Sequence, residues 1–142
     1  MYHFSFDGNL AADAELEISK SGRSVCHLRV GHGRRVQRDG VWDDAPTMWI
    51  TVTVWGDLAE RAAKWKKGNT VFVVARDDLA PWAYNRRDNG EAGALLQVTA
   101  ADIGLSSRFE EVQVVETETD GAKTPWSADL DEPAERELEP AF

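Results

Sequence analysis

The chain has 142 residues, room for one domain and a tail rather than two full cores. No apolar run approaches the roughly 18 residues of a membrane span, and the amino end, Met1-Tyr2-His3-Phe4-Ser5-Phe6-Asp7, lacks the basic-then-apolar order of a secretory signal. A cytoplasmic protein without membrane contact is therefore expected. The net charge is -9, yet residues 1–109 hold fourteen Lys and Arg against fourteen Asp and Glu, while residues 110–142 hold only Lys123 and Arg136 against eleven acids. That acidic stretch, with Pro125, Pro133 and Pro140 and few large apolar residues, buries too little to offset the entropy of ordering. Disorder is expected over 112–142, leaving 1–111 as the folded domain. Cys26 has no disulfide partner, and His3, His27 and His32 lack the spacing of a zinc site, so neither a metal nor a cofactor is expected.

Tyr2, Phe4 and Phe6 alternate with polar residues before Gly8-Asn9, which predicts a first strand over about 2 to 7. Leu16 and Ile18 lead into the turn-rich Ser19-Lys20-Ser21-Gly22, and Val25 to Val30 resumes as an extended segment, a hairpin pattern. Cys26 and His27 are adjacent there, so one packs inward and the other faces outward. Arg34 to Gly40 reads as a polar basic loop, and Met48 to Trp55 is the clearest strand. Asp57 to Lys67 reads as a helix: Asp57 and Glu60 have the spacing of a capping box, Leu58, Ala62 and Trp65 form an apolar face, and Gly68 stops it. Thr70 to Ala75 and Ala94 to Ala100 complete the strands. An all-β domain with three strands, one helix and two further strands fits a five-stranded Greek-key barrel of the OB type, alongside a sandwich or an open α+β sheet.

Within Met48 to Trp55, alternation puts Met48, Ile50, Val52 and Val54 on one face and Trp49, Thr51, Thr53 and Trp55 on the other. The first set is a core stripe. The second holds two indoles about 20 Å apart over a small polar floor, which suits the stacking of nucleobases. It also suits indoles packed under a loop or at an oligomer interface. Arg34, Arg35 and Arg38 precede this strand, and Trp82, Tyr84, Arg86 and Arg87 follow the Thr70 to Ala75 strand. Cations interleaved with rings are the combination that single strands require, the cations following phosphates and the rings following bases. Asp39, Asp43, Asp44, Asp77, Asp78 and Asp88 are interspersed among them. Adjacent acids on an extended strand point to opposite faces, so the Asp43-Asp44 and Asp77-Asp78 pairs offer a hydrolase no metal clamp.

Gly8-Asn9-Leu10 with Asp13-Ala14-Glu15-Leu16, then Ser21-Gly22 and Val25, Trp49 to Glu60, and Lys67-Gly68 with Val71 to Val74 together resemble the bacterial single-stranded DNA-binding protein family. The resemblance covers about residues 2 to 105 and implies an OB barrel that assembles as a homotetramer. It implies a nucleoid-associated protein that binds single-stranded DNA without covalent chemistry in replication, recombination and repair. Trp49, Trp55 and Trp82 fall where that family has base-stacking aromatics, and a further stacking position aligns near Val36, which cannot stack, with Trp42 close by. Family members end in an acidic tip that docks on replication and repair proteins. The corresponding residues here are Asp129, Asp131, Glu132, Glu137, Glu139, Pro140 and Phe142, with Ala141 and Arg136 as departures. The alternative is a barrel kept for protein contacts with little affinity for DNA, motivated by the neutral domain, Asp77-Asp78 and Val36.

Overall fold

The computed structural model describes residues 1–115. In chain order it has β1 (Ser5–Leu10), β2 (Glu17–Ile18), β3 (Ser24–His32), β4 (Arg35–Arg38), β5 (Val41–Asp44), β6 (Met48–Trp55), α1 (Asp57–Ala62), β7 (Thr70–Ala75), β8 (Ala80–Asn85) and β9 (Ala92–Leu105). Trp126 and the tail residues Asp129, Asp131, Glu132, Glu137, Glu139, Pro140 and Phe142 lie outside the described residues.

Five strands close into a barrel in the order β1-β7-β9-β6-β3 and back to β1. Only the β6–β9 pairing in this ring is parallel. The core is filled from the inward positions of every barrel strand, with Val30, Ile50, Val52, Val54, Val71 and Val73 fully buried. Branched side chains suit a pleated, two-sided surface, and removing them from water is the main favourable term in folding. Met48 shares the stripe's parity but lies past the barrel's end and is exposed.

Closure depends on the Gly8-Asn9-Leu10 segment. It pairs with β7 along Ser5 to Asn9 and with β3 at Asn9↔Gly31 and Leu10↔Val30. A Cβ on Gly8 would lie 2.7 Å from both the Gly31 carbonyl oxygen and Val30 Cγ1, so only glycine allows the approach. Asn9 Nδ2 donates to Thr70 Oγ1 at 2.9 Å and to the Gly68 carbonyl at 3.1 Å, and Leu10 enters the core.

Several expectations are corrected. β1 starts at Ser5 and runs to Leu10; just before it the Phe4 carbonyl accepts from the Ala75 N–H at 2.9 Å and Phe4 packs on Phe6, while the Tyr2 hydroxyl accepts from the Leu79 N–H at 2.8 Å. The basic segment Arg34 to Gly40 is half of a hairpin, β4–β5, turning at Asp39-Gly40 with both residues at positive φ. The helix ends at Ala62, five residues before Lys67. Its N-cap is Gly56, at φ 65 and ψ -138, and Glu60 accepts from the Ser24 hydroxyl instead of closing a box with Asp57. The N–H groups of Ala63, Lys64 and Trp65 still bond to carbonyls of α1, but from Lys66 on they turn elsewhere, Lys66 to Asn69 Oδ1, Lys67 to Asp13 Oδ1 and Gly68 to the Leu10 carbonyl. Trp65 thus packs against the core from a turn. β9 extends well past Ala100, to Leu105, because it pairs successively with β8, β6 and β7. Cys26 is the inward member of its pair with His27. Burial and the nearby Glu17 push its thiol up, and its Sγ donates to the Ala59 carbonyl at 3.3 Å.

Gly8→Ala should destabilise the domain by about 1 to 3 kcal/mol through overpacking at the closure, read from the urea midpoint at unchanged slope.

Candidate nucleic-acid interface

The outer face of the barrel is set by pairing register. On β6, Trp49, Thr51, Thr53 and Trp55 point outward and are half-buried, while Ile50, Val52 and Val54 point inward. Opposite them on β3 stand Gly31, Arg29, His27 and Val25. On the other side, Thr51 pairs with Gln97 and Thr53 with Thr99 of β9. β8 then continues the same face, with Trp82 opposite Leu95 and Tyr84 opposite Gly93. The predicted Trp49, Thr51, Thr53, Trp55, Trp82 and Tyr84 therefore share one continuous surface. Trp82 stands two strands, about 10 Å, from the Trp49 row.

Two rings rest on glycines. A Cβ on Gly31 would lie 2.9 Å from the Trp49 ring, and a Cβ on Gly93 would lie 2.7 Å from the Tyr84 ring. The missing side chain on the neighbouring strand lets each aromatic lie against the sheet instead of standing off it. Trp82, by contrast, is 57% exposed.

Cations face these rings from positions the sequence did not single out. Arg29 Cζ lies 4.4 Å from the centroid of Trp49, and Arg23 Cζ lies 5.1 Å from that of Trp55, both within cation–π range. His27 Nδ1 and Thr53 Oγ1 are 3.4 Å apart. The signal for Arg29 was present, since it has the outward parity of His27 in a predicted strand, but only the β3–β6 register identifies Trp49 as its neighbour. Arg29 also lines an open groove of about 730 Å³ with Tyr84, Asn85, Arg86, Arg87 and Asp88. The predicted Arg86 and Arg87, at the tip of the β8–β9 hairpin, thus meet Arg29 across this groove.

Arg34, Arg35 and Arg38 are placed apart from that surface, on or just before the β4–β5 ribbon beyond the Met48 end of β6. Arg35 Nε is 3.6 Å from Asp44 Oδ1, both exposed. On this ribbon Trp42 lies opposite Gln37, and Val36 lies opposite Asp43. Trp42 and Val36 therefore face opposite ways, so Trp42 does not occupy the surface that Val36 leaves without a ring.

Asp77 and Asp78 lie in the β7–β8 connection. Asp78 Oδ1 accepts from the Thr99 N–H at 2.9 Å. Burial pushes this carboxyl up, but the hydrogen bonds from Thr99 and its own backbone, with Arg76 nearby, outweigh that and hold it below the usual carboxylate range. It fixes a negative charge beside the Thr53–Thr99 row. No three His, Cys, Asp or Glu side chains among the described residues are grouped to hold a metal ion. Nor, among them, is any helix long and apolar enough to cross a membrane.

Residues 1–106 match the model of the single-strand binding protein family. The chain belongs to that family. It is similar to the single-stranded DNA-binding protein of Corynebacterium glutamicum, 32% identical over 117 residues, covering 80% of this chain and 51% of the relative. It is also similar to the proteins of the same name from Mycolicibacterium smegmatis and Mycobacterium leprae. Each is 30% identical over 110 residues, covering 75% of this chain and 65% and 64% of the relative. The matches thus span from about half to just under two thirds of these relatives' length. Within the family frame, the Gly8-Asn9-Leu10 and Asp13-Ala14 segments are structural: they close the barrel and hold the turn after α1.

Gly31→Ala should push the Trp49 indole off the sheet and change the near-ultraviolet circular dichroism while the far-ultraviolet spectrum is kept. The Asp78 carboxyl, lowered on folding, contributes stability in full above its unfolded value of about 3.9 and loses it as pH falls through the lower folded value. Asp78→Asn should accordingly remove part of the acid-limb slope below about pH 4 in pH-dependent urea unfolding.

Proposed function

We propose that this protein binds single-stranded DNA without sequence preference, stacking bases on Trp49, Trp55, Trp82 and Tyr84 and meeting phosphates with Arg29, Arg86 and Arg87. The observation that carries this reading is the shared outer face of β3, β6, β9 and β8, which holds four aromatic residues, two of them, Trp49 and Trp55, faced by guanidinium groups. Every base has a π-face, so a row of rings accepts any sequence, and small Thr51 and Thr53 leave the space between them clear. The names of the family and of its relatives support the same ligand. Binding of this kind involves no covalent chemistry. Arg34, Arg35 and Arg38 on the β4–β5 ribbon extend the phosphate path past the end of β6, with Arg35 first exchanging its Asp44 partner.

The role that follows is protection of single strands in replication, recombination and repair, in the cytoplasm at the nucleoid. The domain acts as a homotetramer, in line with a small barrel that exposes Phe72 and Val74 on its β7 face. The acidic tail, residues 112–142, recruits replication and repair proteins through Asp129, Asp131, Glu132, Glu137, Glu139, Pro140 and Phe142. A phenylalanine ring after a run of acids suits an apolar pocket with a basic rim. The neutral charge of residues 1–109 favours one other reading, a barrel used for protein contacts.

Tryptophan fluorescence during titration with oligo-dT separates the two. Strong salt-sensitive quenching is expected, and Trp49→Ala with Trp55→Ala should weaken binding by about 2 to 6 kcal/mol for two bases, at least roughly 30-fold. Residues 1–111 alone should bind more tightly at low salt, because the acidic tail no longer competes for the arginines. No quenching at low salt by either chain would leave the protein-contact reading.

A further inference from the structure

The two indoles of β6 are not open surfaces. Trp49 lies close against Gly31, where a Cβ would meet the ring at 2.9 Å, and the Arg29 guanidinium lies over it, 4.4 Å from the ring centroid. Trp55 is faced by Arg23. A base that stacks on the face of Trp49 that Arg29 covers needs the place Arg29 occupies. Arg29 has a second place to go, because it lines the groove shared with Tyr84, Asn85, Arg86, Arg87 and Asp88.

On the reading that this face binds single strands, we propose that Arg29 is an exchange residue. The incoming base displaces its guanidinium from Trp49, and the guanidinium turns into the groove beside Arg86 and Arg87 to take a phosphate of the same strand. Each partner gains what suits it. The neutral base takes the apolar ring, and the cation leaves a weak, exposed cation–π contact for a charge-assisted pair with phosphate. The three-carbon stem of arginine lets the head move while its base stays fixed on β3. Until a strand arrives, Trp49 is covered by a residue of its own chain. Arg29 is therefore a competitor for the ring and a ligand for the backbone at once, which gives its removal opposite effects at low and high salt.

The test is Arg29→Ala in the full chain, titrated with oligo-dT across a series of salt concentrations beside the unmodified protein and Trp49→Ala. The variant should bind several-fold more weakly at low salt and have a salt slope shallower by about 0.7, the value of one single-strand phosphate contact. The two lines should then cross, so that at high salt the variant binds about two- to five-fold more tightly because its indole is already open. Weaker binding with a parallel slope would overturn the exchange and make Arg29 a stacking platform. A shallower slope without a crossing would reduce it to a plain phosphate contact, and no change would remove it from the binding path. If the unmodified protein fails to bind oligo-dT at low salt, the single-strand reading falls and the exchange with it. Should the protein bind while Trp49→Ala binds equally well, the exchange alone fails. A second measurement follows the Arg29 Nε–Hε nuclear magnetic resonance signal. It should be shifted upfield by the Trp49 ring in the free protein and move downfield on adding oligo-dT, and a signal that stays upfield when the strand is bound would overturn the proposal.

Discussion

β1 must hydrogen-bond to two strands at once, and the barrel depends on that. Ser5 to Asn9 runs along β7 while Asn9 and Leu10 turn onto β3, and the approach is close enough that no side chain fits at Gly8. A sheet closed in this way leaves no free edge in its ring and encloses a core in which valine, isoleucine and leucine predominate. Everything on the outside inherits its position from that closure, because register fixes which side chains point outward on each strand.

The outer face illustrates how an exposed aromatic is held in place without being buried. Trp49 and Tyr84 each lie against a glycine of the neighbouring strand, so backbone forms one wall of the ring's site and little rotamer freedom is left. At Trp49 a guanidinium also lies over the ring. The rings are thus placed before any ligand arrives, which lowers the entropy lost on binding, while the guanidinium is the part that moves. It is also charged where it is aromatic, so the two kinds of contact that a nucleic acid offers are presented side by side.

Charge is distributed with restraint. Residues 1–109 are neutral overall, and several acids in them have structural duties: Asp13 caps the Lys67 N–H, Asp78 holds the Thr99 N–H, and Asp43 accepts from the Asp44 N–H. Glu110, just past that boundary, accepts from the Thr70 N–H at 2.6 Å and ties the end of the domain to β7. The cations facing the rings are thus a local feature of one surface, whereas the whole-chain balance is set by residues 110–142.

Local pattern determined a good deal. The inward stripe of Ile50, Val52 and Val54 and the outward face of Trp49 to Trp55 follow from two-residue alternation, the bounds of β7 from a β-branched run, and the barrel from the order of three strands, one helix and two strands. The β4–β5 hairpin was missed: Asp39-Gly40 is a hairpin signal, but the surrounding charge made Arg34 to Gly40 read as a loop. The helix end was not legible, because the groups that capture the Lys66 and Lys67 N–H lie at Asn69 and, fifty-four residues from Lys67, at Asp13. Nor was the partnership of Arg29 with Trp49 or of Gly93 with Tyr84. These are contacts across strands, and a sequence gives the face each residue takes along its own strand but not the offset at which two strands pair. Only the closed sheet fixes that offset, and with it which cation covers which ring.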